Sequence, residues 1–383
     1  MKKIIRTATV ALSLDVLLKG QLYFLNQKYE IIAVSGNDKS LKEVHIREKV
    51  RTVDLPFQRQ ISPLKDFISL LKLYRLLKKE KPSLIHSITP KAGLLSMIAG
   101  YFAKVPVRMH TFTGLIFPSK TGFLKQILIV MDKMLCRFAT HVYPEGQGVK
   151  NDLIQYKITN KPLQVLAFGN VNGVDFNYFD SNCFNENQNL TLKQSLKIEN
   201  DDFVFIFVGR IVSDKGINEL VLAFKSFQSA YHNTKLLLVG NLEMELDPIN
   251  KETLHEIRNN DTIIDVGYQN DIRPYLAIAN CLTFPSYREG FPNVVIQACA
   301  MNLPCIVSDI NGCNEIITDK HNGIIIPVKN ENAIFDAMKT LFLNKNLYNS
   351  LQLNARQSVV SRYSQGIVWS ALEEEYERLL VHV

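Results

Sequence analysis

Short apolar runs alternate with longer amphipathic stretches along the whole of this 383-residue chain. The runs end at glycine, proline or polar residues, as buried strands do, and the stretches carry apolar residues three and four positions apart, as helices do. Strands and helices that alternate in this way favour parallel sheets covered by helices. The chain is longer than one hydrophobic core usually supports, so we expect two domains.

The pattern predicts an α/β fold class, with one Rossmann-like domain in each half. We expect the first domain to span 1–170 and the second 171–365, with a polar stretch after the linker. The predicted strands lie near 2–10, 29–35, 83–88, 106–112, 140–144 and 163–168 in the first half, and near 203–209, 235–240, 262–266, 281–285, 304–308 and 323–327 in the second.

The segment from Tyr287 to Ser308, YREGFPNVVIQACAMNLPCIVS, begins after one predicted strand and ends in the next. Glu289 precedes a tight turn, GFPN, and Gln297 is the polar residue within an apolar run. Eight residues are a little over two helical turns, so we expect Glu289 and Gln297 to point the same way. The pair would lie at the carboxyl edge of a parallel sheet, where open α/β folds bind ligands.

A second motif, DFVFIFVGRIVSDKGINELVLAF, occupies 202–224. A predicted strand runs into Gly209 and Arg210, and Lys215 precedes an amphipathic helix. Two cations and a glycine at the start of a helix are typical of a phosphate site, because glycine lets the backbone approach closely and arginine binds two oxygens.

Together these motifs resemble the nucleotide-sugar site of retaining glycosyltransferases of the GT-B type, in particular family 4. That family has a Glu, seven residues and a second Glu, for which this chain has Gln297. The resemblance extends over nearly the whole chain. It implies the GT-B fold, in which two Rossmann-like domains face a central cleft and a C-terminal helix, here within 366–383, crosses back to the first domain.

The resemblance also implies a role for each site residue. Arg210 and Lys215 would bind the donor diphosphate and stabilise the leaving group, and Glu289 would accept hydrogen bonds from the donor sugar. Gln297 would hold the nucleotide ribose with one amide oxygen in place of a carboxylate. The remaining expected donor-binding residues are Gly209, Gly290, Phe291, Pro292 and Asn293.

Weaker matches lie upstream. His110 ends a predicted strand where the family has a histidine that faces the donor sugar, and we assign it a catalytic role. His86 also ends a strand, and we interpret it as structural. Asn172 and Gly173 suit a tight turn at the linker.

One family element is missing, because family 4 members often carry a Gly-Gly loop after the first strand. Here no glycine occurs before Gly20, and we assign it no phosphate role. We expect Ser13 to cap the first helix, and we place Lys19 and Gln21 on the helix surface or in acceptor contacts.

Charge divides the two halves. Residues 1–170 contain 27 Lys and Arg against 11 Asp and Glu, whereas 171–383 contain 17 against 26. A basic domain calls for an anionic partner, and nothing resembles a nucleic-acid-binding module. The segments FISLLKLYRLLKKEKP and KTGFLKQILIVMDKMLCRF are typical of basic amphipathic helices on anionic membranes, although part of each apolar face belongs to the core.

The chain shows neither an early signal sequence nor an apolar window of the ~18–20 residues that span a membrane. Its six cysteines have no metal-ligand spacing, and it has no Asp-X-Asp motif. We therefore expect a metal-independent protein without cofactors, cytoplasmic and peripheral on the inner face of the cytoplasmic membrane.

These features predict a hexosyltransferase-type glycosyltransferase. It would move a sugar from a nucleotide sugar, a UDP-sugar in the first instance, to a lipid-diphosphate-linked glycan acceptor during capsule or O-antigen synthesis. Two alternatives stay open: a sugar-nucleotide 2-epimerase of the same fold, and a non-catalytic membrane-surface binding protein, which the replacement by Gln297 suggests.

Overall fold

The computed structural model describes residues 1–58, 60, 62–245, 247–381 and 383. These residues form two compact units. Unit 1 comprises Met1–Gly173 and Gln365–Val383, and unit 2 comprises Val174–Ser364. The chain thus passes between the units three residues after the first expected boundary and one residue before the second.

Unit 1 is built on a six-stranded parallel sheet with the order β3-β2-β1-β4-β5-β6. Its central strands are apolar on both faces, since helices cover both sides of the sheet. The strands are β1 Lys3–Val10, β2 Glu30–Gly36, β3 Arg51–Asp54, β4 Leu84–Ser87, β5 Val107–Phe112 and β6 His141–Pro144.

The helices that connect these strands lie between 11 and 155. A short 3-10 helix, Phe117–Ser119, precedes the sixth of them. They are α1 Ala11–Leu17, α2 Gln21–Asn26, α3 Lys39–Glu48, α4 Pro63–Glu80, α5 Pro90–Ala103, α6 Gly122–Phe138 and α7 Gln147–Gln155.

Two strand predictions in this unit were wrong. The strand β3 was missed, because an edge strand of sequence RTVD, with charges at both ends, lacks an apolar run. The strand predicted at 163–168 is absent from the described residues, where a single bridge joins Leu163 to Val142. Pro162 donates no hydrogen bond and Ala167 has a φ of 48°, so the segment cannot extend the sheet.

The junction after the first strand also differs from the prediction. Helix α1 begins at Ala11, so Ser13 lies inside it, and Val10 precedes it without a side-chain cap. Gln21 is fully buried rather than on the surface. Its amide accepts a hydrogen bond from Arg6 at 2.9 Å and donates one to the carbonyl of Val171 at 2.8 Å.

Unit 2 repeats the architecture, with the parallel strand order β12-β11-β10-β7-β8-β9. Each of its strands lies within one or two residues of a predicted one. The strands are β7 Phe203–Val208, β8 Thr234–Val239, β9 Ile263–Asp265, β10 Cys281–Phe284, β11 Cys305–Ser308 and β12 Gly323–Ile326.

Helices cover both faces of this sheet as well. Two short 3-10 helices, Ser181–Cys183 and Ser213–Lys215, accompany them. The helices are α8 Glu186–Ser195, α9 Ile217–Ala230, α10 Lys251–Asn259, α11 Arg273–Ala277, α12 Asn293–Ala300, α13 Cys313–Ile316, α14 Glu331–Leu343 and α15 Lys345–Tyr363.

The last helix, α16 Gln365–Leu380, belongs to unit 1, as the resemblance implied. Tyr376 anchors it there, because its buried hydroxyl lies 3.0 Å from Arg6 Nη1 and 2.6 Å from His86 Nδ1. Asn172 anchors the linker beside it and accepts a hydrogen bond from the Trp369 indole at 2.9 Å. The next residue, Gly173, has a φ of 70°, in agreement with the predicted turn.

Both sheets have a switch point, where the strand order reverses. In unit 1 it lies between β1 and β4, and in unit 2 between β7 and β10. Connections leave the two central strands toward opposite faces there, which opens a crevice at the carboxyl edge. Ligand-binding residues are therefore expected at the ends of these strands.

Candidate functional site

The switch point of unit 2 brings the two sequence motifs together. Strand β7 leads directly into Gly209 and Arg210, and strand β10 leads through Pro285 to Glu289. Although the motifs are about 75 residues apart in sequence, β7 and β10 are hydrogen-bonded neighbours, so their ends are adjacent. The predicted residues thus share one edge of one sheet.

Lys215 and Glu289 form an ion pair, in which the Lys215 ammonium contacts Glu289 Oε1. Ser286 Oγ donates to the same carboxylate oxygen at 2.9 Å. Both charged side chains are about one-sixth exposed. Glu289 is therefore held at the crevice with its charge compensated, while part of its carboxyl group can still meet a ligand.

Arg210 is less buried than Lys215, with 48% of its side chain exposed. Its Nη1 lies 2.8 Å from Glu243 Oε2, in the segment after β8. An exposed pair of this kind contributes little to stability. The guanidinium can exchange this carboxylate for a ligand anion.

Two glycines let the loops of this site pack closely. Gly216, with a φ of 71°, ends the turn that carries Lys215, and a Cβ there would lie 2.2 Å from the Pro285 carbonyl oxygen. Gly312, with a φ of 74°, lies against the GFPN turn, where a Cβ would be 2.5 Å from the Gly290 carbonyl oxygen. Any larger residue would push these loops apart.

Sequence reasoning missed a set of contacts that tie the β10 loop to the turn after β7. The Tyr287 amide donates to the Asp214 carbonyl at 2.9 Å, and the Tyr287 hydroxyl lies 2.6 Å from Glu219. Arg288 pairs with the Asp214 carboxylate at 3.0 Å. Burial, followed by the neighbouring Glu219 carboxylate, raises the pKa of Tyr287, so its hydroxyl stays protonated and donates.

The helical argument for Glu289 and Gln297 was wrong, because the helix begins later than expected. Helix α12 starts at Asn293, after Pro292 at its N-cap, and Glu289 lies in the preceding loop. Proline has no N–H and ends an extended segment here. Gln297 is half-buried in α12, and its side chain makes no hydrogen bond within the described part of the chain.

The remaining residues of the turn are held by packing. Phe291 is buried, and its ring lies edge-on to Tyr363 at 5.4 Å between centroids. Its side chain therefore belongs to the core, and the backbone of Gly290–Asn293 is what a ligand could meet.

His110 lies within β5 of unit 1, two residues before its end, and its ring is buried. Nδ1 lies 2.7 Å from Ser87 Oγ, and Nε2 has no partner among the described residues. Burial lowers the pKa of His110 to about 3, so the ring is neutral. A Cβ on Gly93 would lie 2.5 Å from this ring, so glycine is needed there.

His86 has a structural environment, as we interpreted it. Its two ring nitrogens lie 2.6 Å from the Tyr376 hydroxyl and 2.8 Å from Thr111 Oγ1. Burial, and then the positive charge of Arg6, hold the pKa of His86 well below its usual range. Arg6 itself is fully buried, which no motif around it predicts.

The two basic helices of unit 1 bury part of their apolar faces and expose the rest. In α4, Leu73 and Leu77 are in the core, whereas Leu64 and Phe67 are 81% and 58% exposed. In α6, Phe123 is 81% exposed. The exposed apolar residues extend beyond the first turns, since Leu71 of α4 and Val130 of α6 are 39% and 57% exposed.

The described residues contain neither a metal-ligand cluster nor a membrane-spanning helix. Across the described ranges, no three His, Cys, Asp or Glu side chains are grouped so that they could hold a metal ion. No helix in the described part of the chain is both long and apolar enough to cross a bilayer.

Comparison with known proteins bears on both units. Residues 10–145 match the family described as Glycosyl transferase 4-like, and residues 188–358 match Glycosyl transferases group 1. The chain is 33% identical to the capsular polysaccharide biosynthesis glycosyltransferase CapM of Staphylococcus aureus, covering 99% of this chain and 98% of that protein.

Two further similarities agree with this match. The chain is 28% identical to the UDP-Gal:alpha-D-GlcNAc-diphosphoundecaprenol alpha-1,3-galactosyltransferase of Escherichia coli, over 88% of this chain and 86% of that protein. Anabaena Alr3699/HepE, solved in complex with UDP-glucose, has a TM-score of 0.84 at 18% identity, over 99% of this chain and 100% of that one. The chain therefore belongs to the group 1, family 4-like glycosyltransferases, and it is a hexosyltransferase-type enzyme with the GT-B fold.

Proposed function

We propose that this enzyme transfers a sugar, with retention of anomeric configuration, from a UDP-sugar to a lipid-diphosphate-linked glycan of a bacterial surface polysaccharide. One observation carries the proposal. Arg210, Lys215 and Glu289 meet at the adjacent ends of β7 and β10, where an open parallel sheet binds its ligand.

The two cations suit a diphosphate. Arg210 is half-exposed and paired with a single carboxylate, so a ligand with two phosphates can displace Glu243 from it. Lys215, more deeply placed, adds a second positive charge. As the glycosidic bond to the donor breaks, negative charge grows on the departing diphosphate, and fixed cations stabilise that transition state.

Glu289 suits the donor sugar as a hydrogen-bond acceptor. Its Oε1 is bound by Lys215 and Ser286, and this compensation makes it a poor nucleophile. We infer same-face attack, in which the acceptor hydroxyl gives its proton to a donor phosphate oxygen. His110 would contact the sugar through Nε2, and Gln297 would contact the ribose.

The donor and acceptor classes draw support from the relatives. The E. coli relative is named for UDP-galactose as donor and for an acceptor linked to diphosphoundecaprenol. The structural neighbour was solved with UDP-glucose. A UDP-sugar and a lipid diphosphate acceptor are the same chemical classes that Arg210, Lys215 and the basic first unit would bind. The reaction would then need no metal cofactor, since these cations neutralise the diphosphate.

A lipid-linked acceptor would place the enzyme on the inner face of the cytoplasmic membrane. The first turns of α4 and α6 expose Leu64, Phe67 and Phe123, and exposed Lys and Arg side chains follow along both helices. Apolar side chains beside basic ones are typical of binding at an anionic bilayer surface. Unit 1 would thereby approach the membrane with its acceptor.

The test is a transfer assay with purified enzyme, a panel of nucleotide sugars and short-chain lipid diphosphate sugars. We expect release of UDP and a product whose new linkage has the anomeric configuration of the donor, as read by NMR. Arg210→Ala should reduce release by ~10²-fold or more, whereas Lys225→Ala, which removes an exposed lysine paired with Glu256 at 2.7 Å, should leave it unchanged. An inverted linkage would refute retention.

The same assay separates the two alternatives. An epimerised nucleotide sugar without acceptor would indicate a 2-epimerase. Binding of UDP-sugars and vesicles, without transfer to any acceptor, would indicate a membrane-surface binding protein.

A further inference from the structure

A small cavity lies at the carboxyl edge of the first sheet, beside β4 and β5. It is formed by the start of α5, the segment after β5, and α6. Its volume is about 30 Å³, which is room for one group the size of a water molecule. The cavity excludes a sugar ring but admits a single substituent. Its lining residues are Pro90, Leu94, Phe112, Gly114, Ile116, Leu128, Met131 and Asp132.

Asp132 is the unusual member of this lining. Of the described residues around the cavity, it is the one with an ionisable side chain, and the others are apolar or glycine. Its carboxyl group has no hydrogen bond or ion pair to any residue that the structure describes. Burial raises the pKa of Asp132 to about 7. Asp132 is half-buried, and a carboxylate partly shielded from water without a donor is unfavourable, so a ligand that supplies the donor would relieve it.

Two titratable groups near the cavity are neutral. Cys136, one turn further along α6, is buried, and this burial raises the pKa of its thiol to about 12. His110, on β5, is neutral because its pKa is lowered to about 3. The Lys161 ammonium beside Cys136 donates to the carbonyls of Cys136 and Ala139, and the apolar walls disfavour an ammonium ligand, which would lose its water. A neutral N–H or O–H donor suits the cavity better.

Size and polarity together select the group. A hydroxyl would satisfy the carboxylate but would gain nothing from the apolar walls, and a methyl group alone would leave the carboxylate unpaired. An acetamido group carries both an N–H and a methyl. The methyl is about the size of the cavity, and its transfer from water to apolar walls is favourable.

We propose that this cavity receives the acetamido group of an N-acetylated acceptor sugar, with the methyl among the apolar side chains and the amide N–H donating to Asp132. The proposal rests on the function proposed above, since it assigns the acceptor sugar of that reaction to unit 1.

The cavity lies next to His110 through one side chain. Phe112 lines the cavity and lies edge-on to His110, with 4.5 Å between ring centroids. Gly114, whose φ of 109° is rarely adopted by other residues, turns the chain at the cavity edge. Asp132 is therefore a positioning residue, because it orients the acceptor without contacting the reacting atoms.

The first experiment compares two short-chain lipid diphosphates, one bearing N-acetylglucosamine and one bearing glucose. We expect the KM of the wild-type enzyme to be at least about tenfold lower for the acetylated acceptor. Leu128→Phe should fill the cavity and raise that KM to the value for the glucose acceptor. The matched control is Val130→Phe, at a position on α6 that is 57% exposed, and it should change neither constant.

The second experiment uses the pH profile, which a structural role would not alter. As pH falls through about 7, Asp132 gains a proton and becomes a weaker acceptor, so the KM for the acetylated acceptor should rise. Asp132→Asn keeps an amide oxygen but cannot titrate, so its KM should not change with pH in this range. The effect should fall on KM rather than on kcat.

A binding experiment tests the cavity independently of catalysis. Methyl N-acetylglucosaminide is followed by saturation-transfer NMR, and its acetamido methyl should receive saturation from the wild type and Val130→Phe, but not from Leu128→Phe. If neither lipid is turned over while this pattern holds, the proposed function fails and the cavity assignment stands. Equal KM values for the two acceptors, or methyl saturation that survives Leu128→Phe, would overturn the cavity assignment.

Discussion

At the switch point of the second sheet the polar side chains are charged, partly exposed and paired, whereas at that of the first they are buried and, apart from Arg6, neutral. In unit 2, Arg210 faces Glu243 and Lys215 faces Glu289. In unit 1, hydroxyl groups and histidines bond to one another. These pairs are Thr7 with Ser96 at 2.8 Å, Thr9 with Thr89 at 2.8 Å, and Ser87 with His110 at 2.7 Å.

The difference indicates what each edge can bind. The exposed Arg210–Glu243 pair exchanges partners at small cost, so the second sheet suits a charged ligand that enters and leaves. A buried neutral network is costly to break, so the first sheet suits a fixed surface that meets uncharged hydroxyl or amide groups. One strand order thus supports two kinds of recognition, and the chemistry is set by the residues at the strand ends.

The largest expected effect is on membrane binding, and it tests the charge difference between the two units, of which the first is basic and the second acidic. Reversing Lys72, Arg75, Lys78 and Lys79 of α4 to Glu should release the protein from anionic vesicles. All four side chains are exposed, and at ~1 kcal/mol per charge the loss is about a thousandfold in affinity. Vesicle co-sedimentation at low salt measures it.

The control reverses the same number of charges elsewhere. Lys39 and Lys42 on α3, with Lys339 and Lys345 in unit 2, are also exposed. If binding is a property of net charge alone, both quadruple variants will detach to the same extent, and the assignment to α4 is wrong. If the wild-type protein does not bind the vesicles, the proposed membrane-binding surface is wrong.

The next effect concerns the charged edge of unit 2. Arg210→Ala and Lys215→Ala should each weaken UDP binding and reduce turnover by ~10²-fold or more, because each removes a charge-assisted contact to the leaving group. Calorimetric titration of UDP and initial rates measure the two effects. Wild-type rates in both variants would show that the diphosphate binds elsewhere.

The sequence was informative where one motif carried both the structure and the chemistry. The strand, Gly-Arg and Lys-Gly pattern identified β7 and the Lys215 turn, because apolar runs and glycines leave a local signal. No local signal predicts the edge strand β3 or the ion-pair and hydrogen-bond partners Glu243, Asp214 and Glu219. Ordinary charged residues become informative only when folding brings distant segments together. The prediction that Glu289 and Gln297 lie on one helix also failed, because α12 begins only after Pro292.

A smaller effect concerns the neutral edge of unit 1. Tyr376→Phe should lower the free energy of unfolding by about 2 kcal/mol, because it removes one hydrogen bond from buried Arg6 and one from buried His86. Arg210→Ala should change it by less than ~0.5 kcal/mol, as expected for an exposed pair. Urea unfolding compares the two variants, with Tyr101→Phe, at a half-exposed position, as control. Equal losses of unfolding free energy in Tyr376→Phe and Arg210→Ala would show that the two sheet edges do not differ in how their polar groups stabilise the fold.

The smallest effect concerns Gln297, the residue that departs from the family pattern. If the ribose diol contacts this side chain, Gln297→Glu should restore a carboxylate acceptor and tighten UDP binding by ~1 kcal/mol. Gln297→Leu should weaken it, because the diol would lose its partner on leaving water. Glu289→Gln should instead reduce turnover more than UDP affinity, since we assign Glu289 to the sugar. Titration of free UDP separates these roles, and Gln297→Leu that binds UDP as tightly as the wild type would place the ribose away from α12.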